Sequence, residues 1–212
     1  MTAEALHFEG TNRQANLDLG LVGNGTFGAL IDKSANVVWA CYPSFDGDPA
    51  FCALLSPKSG GGQWSIEVDD TASVHQEYLP NTAVLRTVIE DSRGGKVEVT
   101  DFCPRWRHFG RIYKPVMLIR RIRPLAGTPR IRVRLQPLAE WGARVPERTW
   151  GSNHMRWMLD EHVLRLTTDA PLRLLRDELP FVLDRELRFV LGPDETLTQP
   201  ISAFVQDAEE RT

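Results

Sequence analysis

The chain has 212 residues, of which 42% are hydrophobic and 25% charged, and its formal net charge is −3. This length is sufficient for one large domain with a full hydrophobic core. The slightly acidic balance gives no electrostatic reason to expect nucleic acid as a partner, because backbone phosphates require a basic surface. The N-terminal stretch lacks the charged start and apolar run of a secretion signal, and no apolar stretch approaches the roughly 18 residues of a membrane helix. We therefore expect no membrane association, and a cytoplasmic location.

The first motif along the chain is GNGTFG at residues 23–28, which has the G-x-G-x-x-G spacing of a dinucleotide-binding loop. That function requires a helix directly after the glycines, because the phosphate binds at the helix N-terminus. The residues that follow, ALID, KSAN and VVWAC, instead have the pattern of a short strand, a polar turn and a second strand. Asp46 lies near the distance expected for a ribose ligand, but in a loop rich in turn formers. The sequence therefore predicts a tight turn between paired strands, and no cofactor.

Strand patterns dominate the rest of the chain. Residues 96–100 and 130–135 alternate polar and apolar side chains, as half-buried strands do. The runs at residues 83–90 and 96–102 flank a glycine pair, which predicts a hairpin. Helix signals are scarce: residues 49–55 are compatible with one helical turn, residues 172–179 are ambiguous, and the polar stretch 206–212 is typical of a linker or a frayed terminus. We predict an all-β fold, a large antiparallel two-sheet β-sandwich with little helix.

Cysteine and histidine spacing gives no support for a metal site. The cysteines lack C-x-x-C spacing, which favours buried reduced thiols over a disulfide framework or a structural zinc; they are Cys41, Cys52 and Cys103. The five histidines show no H-E-x-x-H spacing, and no G-x-S-x-G element is present to place a catalytic serine. We therefore predict no bound metal.

Three sets of side chains carry hypotheses about binding. Loop carboxylates are candidates for the acid and base of a glycosidase, but their pairing is unsupported and solvated turn acids are the simpler interpretation; they are Asp46, Asp48, Glu77, Asp101 and Glu140. A basic stripe alternates with apolar residues, which favours a solvated outer sheet face over an anion site or a face that docks on an acidic partner domain; it comprises Arg120, Arg121, Arg123, Arg130, Arg132 and Arg134. Three tryptophans are candidate platforms for sugar rings, although packing at sandwich edges is commoner; they are Trp141, Trp150 and Trp157.

Several segments, taken in order, resemble the N-terminal β-sandwich domain of glycoside hydrolase family fifteen, which includes bacterial glucoamylases, glucodextranases and trehalase-like enzymes. They are LVGNGTFGALID at 21–32, NVVWACYPSFD at 36–46, GGGQWSI at 60–66, QEYLPNTAVL at 76–85, VTDFCP at 99–104 and LIRRI at 118–122. No single segment is specific, but the ordered set is, and it covers about residues 17–205.

The resemblance implies a non-catalytic domain. In that family the catalytic glutamates belong to an (α/α)6 barrel that follows the sandwich, so we expect no catalytic residue in this chain. It implies an N-terminal tail at residues 1–16, a β-sandwich domain at 17–205 and the start of a linker at 206–212. The sandwich is expected to pack on its own barrel, with Ser44, Phe45, Asp46 and Asp48 as candidates for the rim of the sugar pocket. Ser44 stands where the family usually has an arginine, which weakens any grip of this loop on a sugar or on the barrel.

Two other functions stay open. The chain is also compatible with a free-standing module that binds an α-glucan or a trehalose-type sugar through the three tryptophans, and with a small hydrolase that uses Asp46 and Asp101. An isolated sandwich would expose an apolar patch where the barrel sits, which predicts self-association.

Overall fold

Seventeen strands and two helices make up the part of the chain that the computed structural model describes, residues 17–55 and 61–212. The strands are β1 (Gly20–Gly23), β2 (Gly28–Ile31), β3 (Val37–Cys41), β4 (Pro49–Phe51), β5 (Gln63–Val68), β6 (Thr71–Tyr78), β7 (Leu85–Asp91), β8 (Lys96–Phe102), β9 (Trp106–His108), β10 (Arg111–Tyr113), β11 (Leu118–Ala126), β12 (Arg130–Gln136), β13 (Arg148–Trp150), β14 (His154–Leu159), β15 (His162–Thr168), β16 (Phe181–Val182) and β17 (Leu187–Pro193). The helices are α1 (Leu172–Arg176) and α2 (Ile201–Arg211).

The strands form two large antiparallel sheets. The seven-stranded sheet has the order β1-β2-β3-β5-β12-β16, with β4 paired to β3, and the eight-stranded sheet has the order β13-β14-β15-β17-β11-β8-β7-β6. β9 and β10 pair as a separate two-stranded hairpin. Strands account for 49% of the chain and helices for 8%, so the prediction of an all-β antiparallel sandwich with little helix is confirmed. The predicted hairpin around the glycine pair is β7–β8.

Alternating side chains build the core between the sheets. On β12 the side chains of Ile131, Val133 and Leu135 are buried, whereas the intervening arginines lie on the other face. Trp64 of one sheet and Phe189 of the other pack edge to face, with ring centroids 5.9 Å apart. These contacts hold the two sheets in fixed relative positions.

A charged pair lies inside this core. The Nε of Arg120 donates to Oδ1 of Asp101 at 2.6 Å, its Nη2 donates to Oδ2 at 3.1 Å, and both side chains have no exposed surface. The guanidinium also donates to the carbonyl of Trp64 at 3.3 Å and lies 4.6 Å from the centre of that ring. The prediction that Arg120 belongs to a solvated outer face is therefore wrong, because its partner faces inward on the neighbouring strand β8.

The other arginines of the basic stripe lie on outer faces and are engaged by carboxylates. Arg123 donates to Glu98 at 2.6 Å, and Arg121 donates to Glu209 at 2.9 Å. The remaining members pair with Asp69, Glu67 and Glu178; they are Arg130, Arg132 and Arg134. Since their charges are balanced within the chain, the stripe offers no surplus of positive charge to an anion.

The glycine motif is a turn between paired strands, as the sequence predicts. Gly23 at the end of β1 lies opposite Gly28 at the start of β2 in an antiparallel pair. Gly25 adopts a φ of 84°, a conformation that glycine reaches without strain. No helix follows the motif, and the structural requirement for pyrophosphate binding is not met.

Helix α2 forms a third layer on the outer face of the eight-stranded sheet. A second apolar cluster joins the helix to that face; its buried members are Val84, Phe102, Ile119, Val190, Val205 and Ala208. The stretch 206–212, expected from its polarity to start a linker, instead lies mostly within this helix because Val205 and Ala208 share one buried face. Residues 49–51 form β4 rather than a helical turn, and the ambiguous stretch after residue 172 begins as α1.

Candidate functional site at one end of the sandwich

Loops from both sheets meet at one end of the sandwich, which we call the loop end. It comprises the turn at residues 24–27, the rim loop at 42–48, the long connection at 103–117, the cross loop at 138–147 and the turn at 160–161. The amide of Asn24, which is 1% exposed, fastens the first of these to the third by donating to the carbonyls of Pro104 at 3.0 Å and Pro115 at 2.7 Å. The Oδ1 of Asn24 accepts from the backbone N–H groups of Thr26 and Phe27. One buried amide therefore organises two loops.

The rim loop is closed by its own backbone. The N–H of Tyr42 donates to the carbonyl of Asp48 at 3.0 Å, and the N–H of Gly47 donates to the carbonyl of Ser44 at 3.0 Å. The Ser44 hydroxyl donates to Asp46 at 2.6 Å and thereby lowers the pKa of that carboxyl. Asp46 therefore stays ionised at the exposed tip of the loop, next to a Phe45 ring that is 60% exposed.

An open cleft of about 320 Å³ lies beside the rim loop. It is lined by Tyr42, Pro43, Gly47, Asp48, Leu138, Leu159, Asp160, Glu161 and His162. The Tyr42 hydroxyl donates to the carbonyl of Val163 at 3.0 Å, and its ring meets that of His162 edge-on. Burial, together with the nearby charges of Glu195 and Asp194, raises the pKa of Tyr42 to about 12, so the phenol stays neutral at the cleft wall.

The cross loop joins the rim loop at the mouth of this cleft. The N–H of Trp141 donates to Oδ1 of Asp48 at 2.7 Å, while the indole ring is 63% exposed. Arg144 bridges the loops by donating to Glu140 at 2.7 Å and to Asp160. The structure thus brings together Asp48 and Trp141, two candidates that are far apart in the sequence.

The three candidate tryptophans do not form one platform. Trp150 is 52% exposed, but it lies on β13 opposite Met155, roughly 13 Å along β14 from the strand end that reaches the cleft. Trp157 is 3% exposed and belongs to the core between the sheets, so its ring offers no face to a sugar. Of these three candidates, only Trp141 lies at the loop end.

The candidate carboxylates are held in structural contacts. Asp101 is fully buried against Arg120, and the hypothesis of a small hydrolase that uses Asp46 and Asp101 is therefore wrong. Glu77 pairs with Arg86 at 3.0 Å, and Glu140 pairs with Arg144. These acids stabilise the fold and the loop end rather than facing one another across a substrate.

The cysteines are buried free thiols, as the sequence predicts. Burial raises the pKa of each thiol, so all three stay protonated and unreactive; they are Cys41, Cys52 and Cys103. Across residues 17–55 and 61–212, no group of three histidine, cysteine or acidic side chains is placed to hold a metal ion. Within the same residues no helix has the length and apolarity needed to cross a bilayer.

Two parts of the loop end have no counterpart among the sequence-based candidates. One is the part of the cleft wall formed by Glu161 and His162, which has no local signature. The other is the β9–β10 hairpin, whose tip residue Phe109 is 93% exposed. A sequence signal for it does exist, since WRHFGRIYK at 106–114 has aromatic and basic residues on both sides of a central glycine.

Fold and site together define a two-sheet β-sandwich domain whose loops present polar and apolar side chains at one end. A family model described as "Trehalase-like, N-terminal" matches residues 8–172. The match spans most of the chain, which therefore belongs to the trehalase-like N-terminal domain family. No curated protein sequence and no solved structure matches it.

Proposed function

We propose that this chain is the non-catalytic N-terminal domain of a glycoside hydrolase that acts on α-glucosidic linkages, of the glucoamylase or trehalase-like type. Its role is to support the folding of a linked (α/α)6 catalytic barrel and to pack on it. The observation that carries this proposal is a group of exposed large apolar side chains on three loops of one end: Phe45, Phe109, Ile112, Trp141 and Val145. Apolar side chains concentrated in this way mark an interaction surface.

The family membership supports the position of the domain within such an enzyme. A domain that precedes a catalytic unit must present one surface to it, and the loop end is the surface best suited to that contact. Phe45 and Asp46 are exposed on the rim loop, while the Ser44 hydroxyl donates to Asp46 and Asp48 accepts from the N–H of Trp141. We assign Phe45 and Asp46 to the rim of the sugar pocket, and Ser44 and Asp48 to holding the rim loop in shape.

The assignment of hydrolysis to a separate catalytic domain follows from the chemistry of glycoside hydrolysis. An inverting enzyme needs one protonated and one ionised carboxyl group on opposite faces of the sugar. At the exposed tip of the rim loop, the hydrogen bond from the Ser44 hydroxyl lowers the pKa of Asp46. Such a group is unsuited to act as a general acid, and we assign the hydrolysis to the barrel.

The test is the mass of the native polypeptide, measured by immunoblot of source-cell lysate with an antibody raised against this chain. We expect a band several hundred residues longer than the 24.0 kDa chain. A band at the mass of the chain itself would contradict the proposal.

A second function is favoured by one observation, the placement of exposed Trp141 beside Asp48 at the mouth of the cleft. An exposed aromatic side chain close to a cleft with polar groups is an arrangement that binds small molecules, and a sugar is one such ligand. A carbohydrate-binding module would show a saturable fluorescence change with maltose, isomaltose or trehalose, which Trp141→Ala would abolish and Trp150→Ala would leave unchanged. The absence of any saturable response would exclude this function.

A further inference from the structure

The segment at residues 105–114, which we call the basic hairpin, is the most positively charged stretch of the loop end. Its sequence, RWRHFGRIYK, contains three arginines, one lysine and one histidine, and no acidic residue. β9 and β10 pair only with each other and extend away from both large sheets. A cationic hairpin on a chain whose net charge is −3 is a local feature that the fold of the sandwich does not require.

Three charged side chains of the basic hairpin have no ion-pair partner, in contrast to the outer arginines of the basic stripe. The outer arginines of the basic stripe are balanced by carboxylates, for example Arg123 by Glu98 at 2.6 Å. Among the residues that the structure describes, none forms an ion pair with Arg107, Arg111 or Lys114. All three side chains are exposed, so the hairpin keeps an uncompensated positive charge on its surface.

The base of the basic hairpin is firmly held. The rings of Trp106 and Tyr113 lie 4.5 Å apart across the two strands, and Trp106 packs against the apolar cluster beneath α2. Arg211 of α2 places its guanidinium 5.8 Å from the Trp106 ring, and the Arg105 guanidinium donates to the carbonyl of Asn24. The hairpin therefore projects from a rigid support, which limits the entropy that a partner must remove on binding.

The tip of the basic hairpin is apolar and unprotected. Phe109 is 93% exposed and Ile112 is 51% exposed, and basic residues flank both of them. Aromatic residues and arginines are the side chains most often found at the energetic centre of protein interfaces. The pattern fits a partner surface that has an apolar pocket surrounded by carboxylates.

We propose that the basic hairpin is a docking arm, which inserts Phe109 into an apolar pocket on an acidic surface of the linked catalytic domain. This inference rests on the proposed function and adds which element makes the contact and what chemistry receives it. The position of α2 supports this occupant, because the hydroxyl of Thr212 accepts from the N–H of Arg105 at 3.3 Å. A polypeptide continuing beyond residue 212 leaves the domain at the base of the hairpin, where its next domain lies within reach.

Zero-length cross-linking of the native polypeptide with a carbodiimide tests this inference, because the reagent joins lysines only to carboxylates in direct contact. Lys114 lies in the basic hairpin, whereas Lys33 lies in a turn and Lys96 at the start of β8, both at the opposite end of the sandwich. Lys33 is 3.2 Å from Asp18 and Lys96 is 3.1 Å from Glu90, so links within these pairs show that the reaction has worked. We expect Lys114 to be joined to acidic residues that lie beyond residue 212.

A matched pair of variants separates docking from damage to the fold. Phe109→Ser should lower the yield of Lys114 cross-links at least about tenfold, since a central aromatic anchor is lost. Leu125→Ser removes another exposed apolar side chain, 40% exposed at the opposite end, and should leave the yield unchanged. Neither variant should move the thermal midpoint of the 212-residue chain by more than about 2 °C, because both side chains are exposed.

The outcomes distinguish this inference from the function on which it rests. Cross-links to residues beyond 212 from Lys33 or Lys96, without any from Lys114, would overturn the docking arm and leave the proposed function standing. Cross-links from Lys114 to a second copy of residues 17–212 would overturn it in favour of self-association. A native polypeptide that ends with this chain would overturn both.

Discussion

The buried pair of Arg120 and Asp101 allows a quantitative prediction. In Arg120→Met the apolar part of the side chain is retained, while Asp101 loses two hydrogen bonds, of 2.6 and 3.1 Å, and its only described counter-charge. Removing one partner of a fully buried pair costs about 3–5 kcal/mol, because the remaining charge cannot return to water. For a chain of this size, 1 kcal/mol corresponds to about 2–4 °C. The thermal midpoint should therefore fall by about 6–20 °C.

The assay is thermal and urea unfolding of the 212-residue chain, followed by tryptophan fluorescence, with Trp64 as a buried probe next to the pair. Arg130→Met is the matched control, because Arg130 is half exposed and 3.7 Å from Asp69, and its loss should cost less than about 1 kcal/mol. The double variant Asp101→Leu with Arg120→Met should recover most of the lost stability, since it leaves no unpaired charge. An Arg120→Met variant no less stable than the Arg130→Met control would refute the reasoning.

Three further predictions concern the outer sheet and the loop end. Burial alone would raise the pKa of Glu98, but hydrogen bonds from its two arginine partners lower it overall. Because the pKa of Glu98 in the folded state lies below its usual value of about 4.3, this carboxylate contributes its full stabilisation above that pH and loses it as the pH falls further. Glu98→Gln should therefore weaken the fall of the urea unfolding midpoint with decreasing pH, measured between pH 3 and 6. Gly47→Ala would place a Cβ 2.7 Å from the carbonyl oxygen of Tyr42, and should cost about 1–3 kcal/mol by urea unfolding, whereas Ser44→Ala in the same loop should cost less than about 1 kcal/mol. Asn24→Ala removes four hydrogen bonds at a buried position and should cost about 2–4 kcal/mol by the same measurement.

For each of these three predictions, one experimental result would contradict it. An acid profile that is unchanged in Glu98→Gln would show that this carboxylate is not depressed in the folded state. Equal stabilities of the Gly47 and Ser44 variants would mean that the rim loop can open without cost. A neutral Asn24→Ala would show that the two loops which it joins are held by other contacts.

The sequence predicts those parts of the fold that depend on local pattern. Alternation on β12 and the glycine pair before β8 are local signals, and both elements form as expected. The partner of Arg120 is not a local property, because it depends on β8 lying next to β11 in the sheet. Helix α2 was missed because its polar surface hides a narrow apolar face that becomes stable only against β8, β11 and β17.

The loop end shows the same limit. The turn-rich rim loop is recognisable from its prolines and glycines. Its hydrogen bond from the N–H of Trp141 to Asp48 depends instead on the packing of two segments that are distant in the sequence. Trp141 and Trp150 each precede a glycine, whereas Trp157 lies in the alternating segment HMRWML. Their exposures are 63%, 52% and 3%, and the difference between Trp141 and Trp150 on one side and Trp157 on the other depends on where these segments lie in the fold. The catalytic partner and self-association stay predictions, because neither is tested by the fold of this chain.

The most direct test of the central claim is glucose release from maltose, isomaltose and trehalose, measured side by side for the purified 212-residue chain and for the native polypeptide isolated with an antibody against it. The account predicts release by the native polypeptide and none by the chain alone. Release by the chain alone, or by neither preparation, would contradict it.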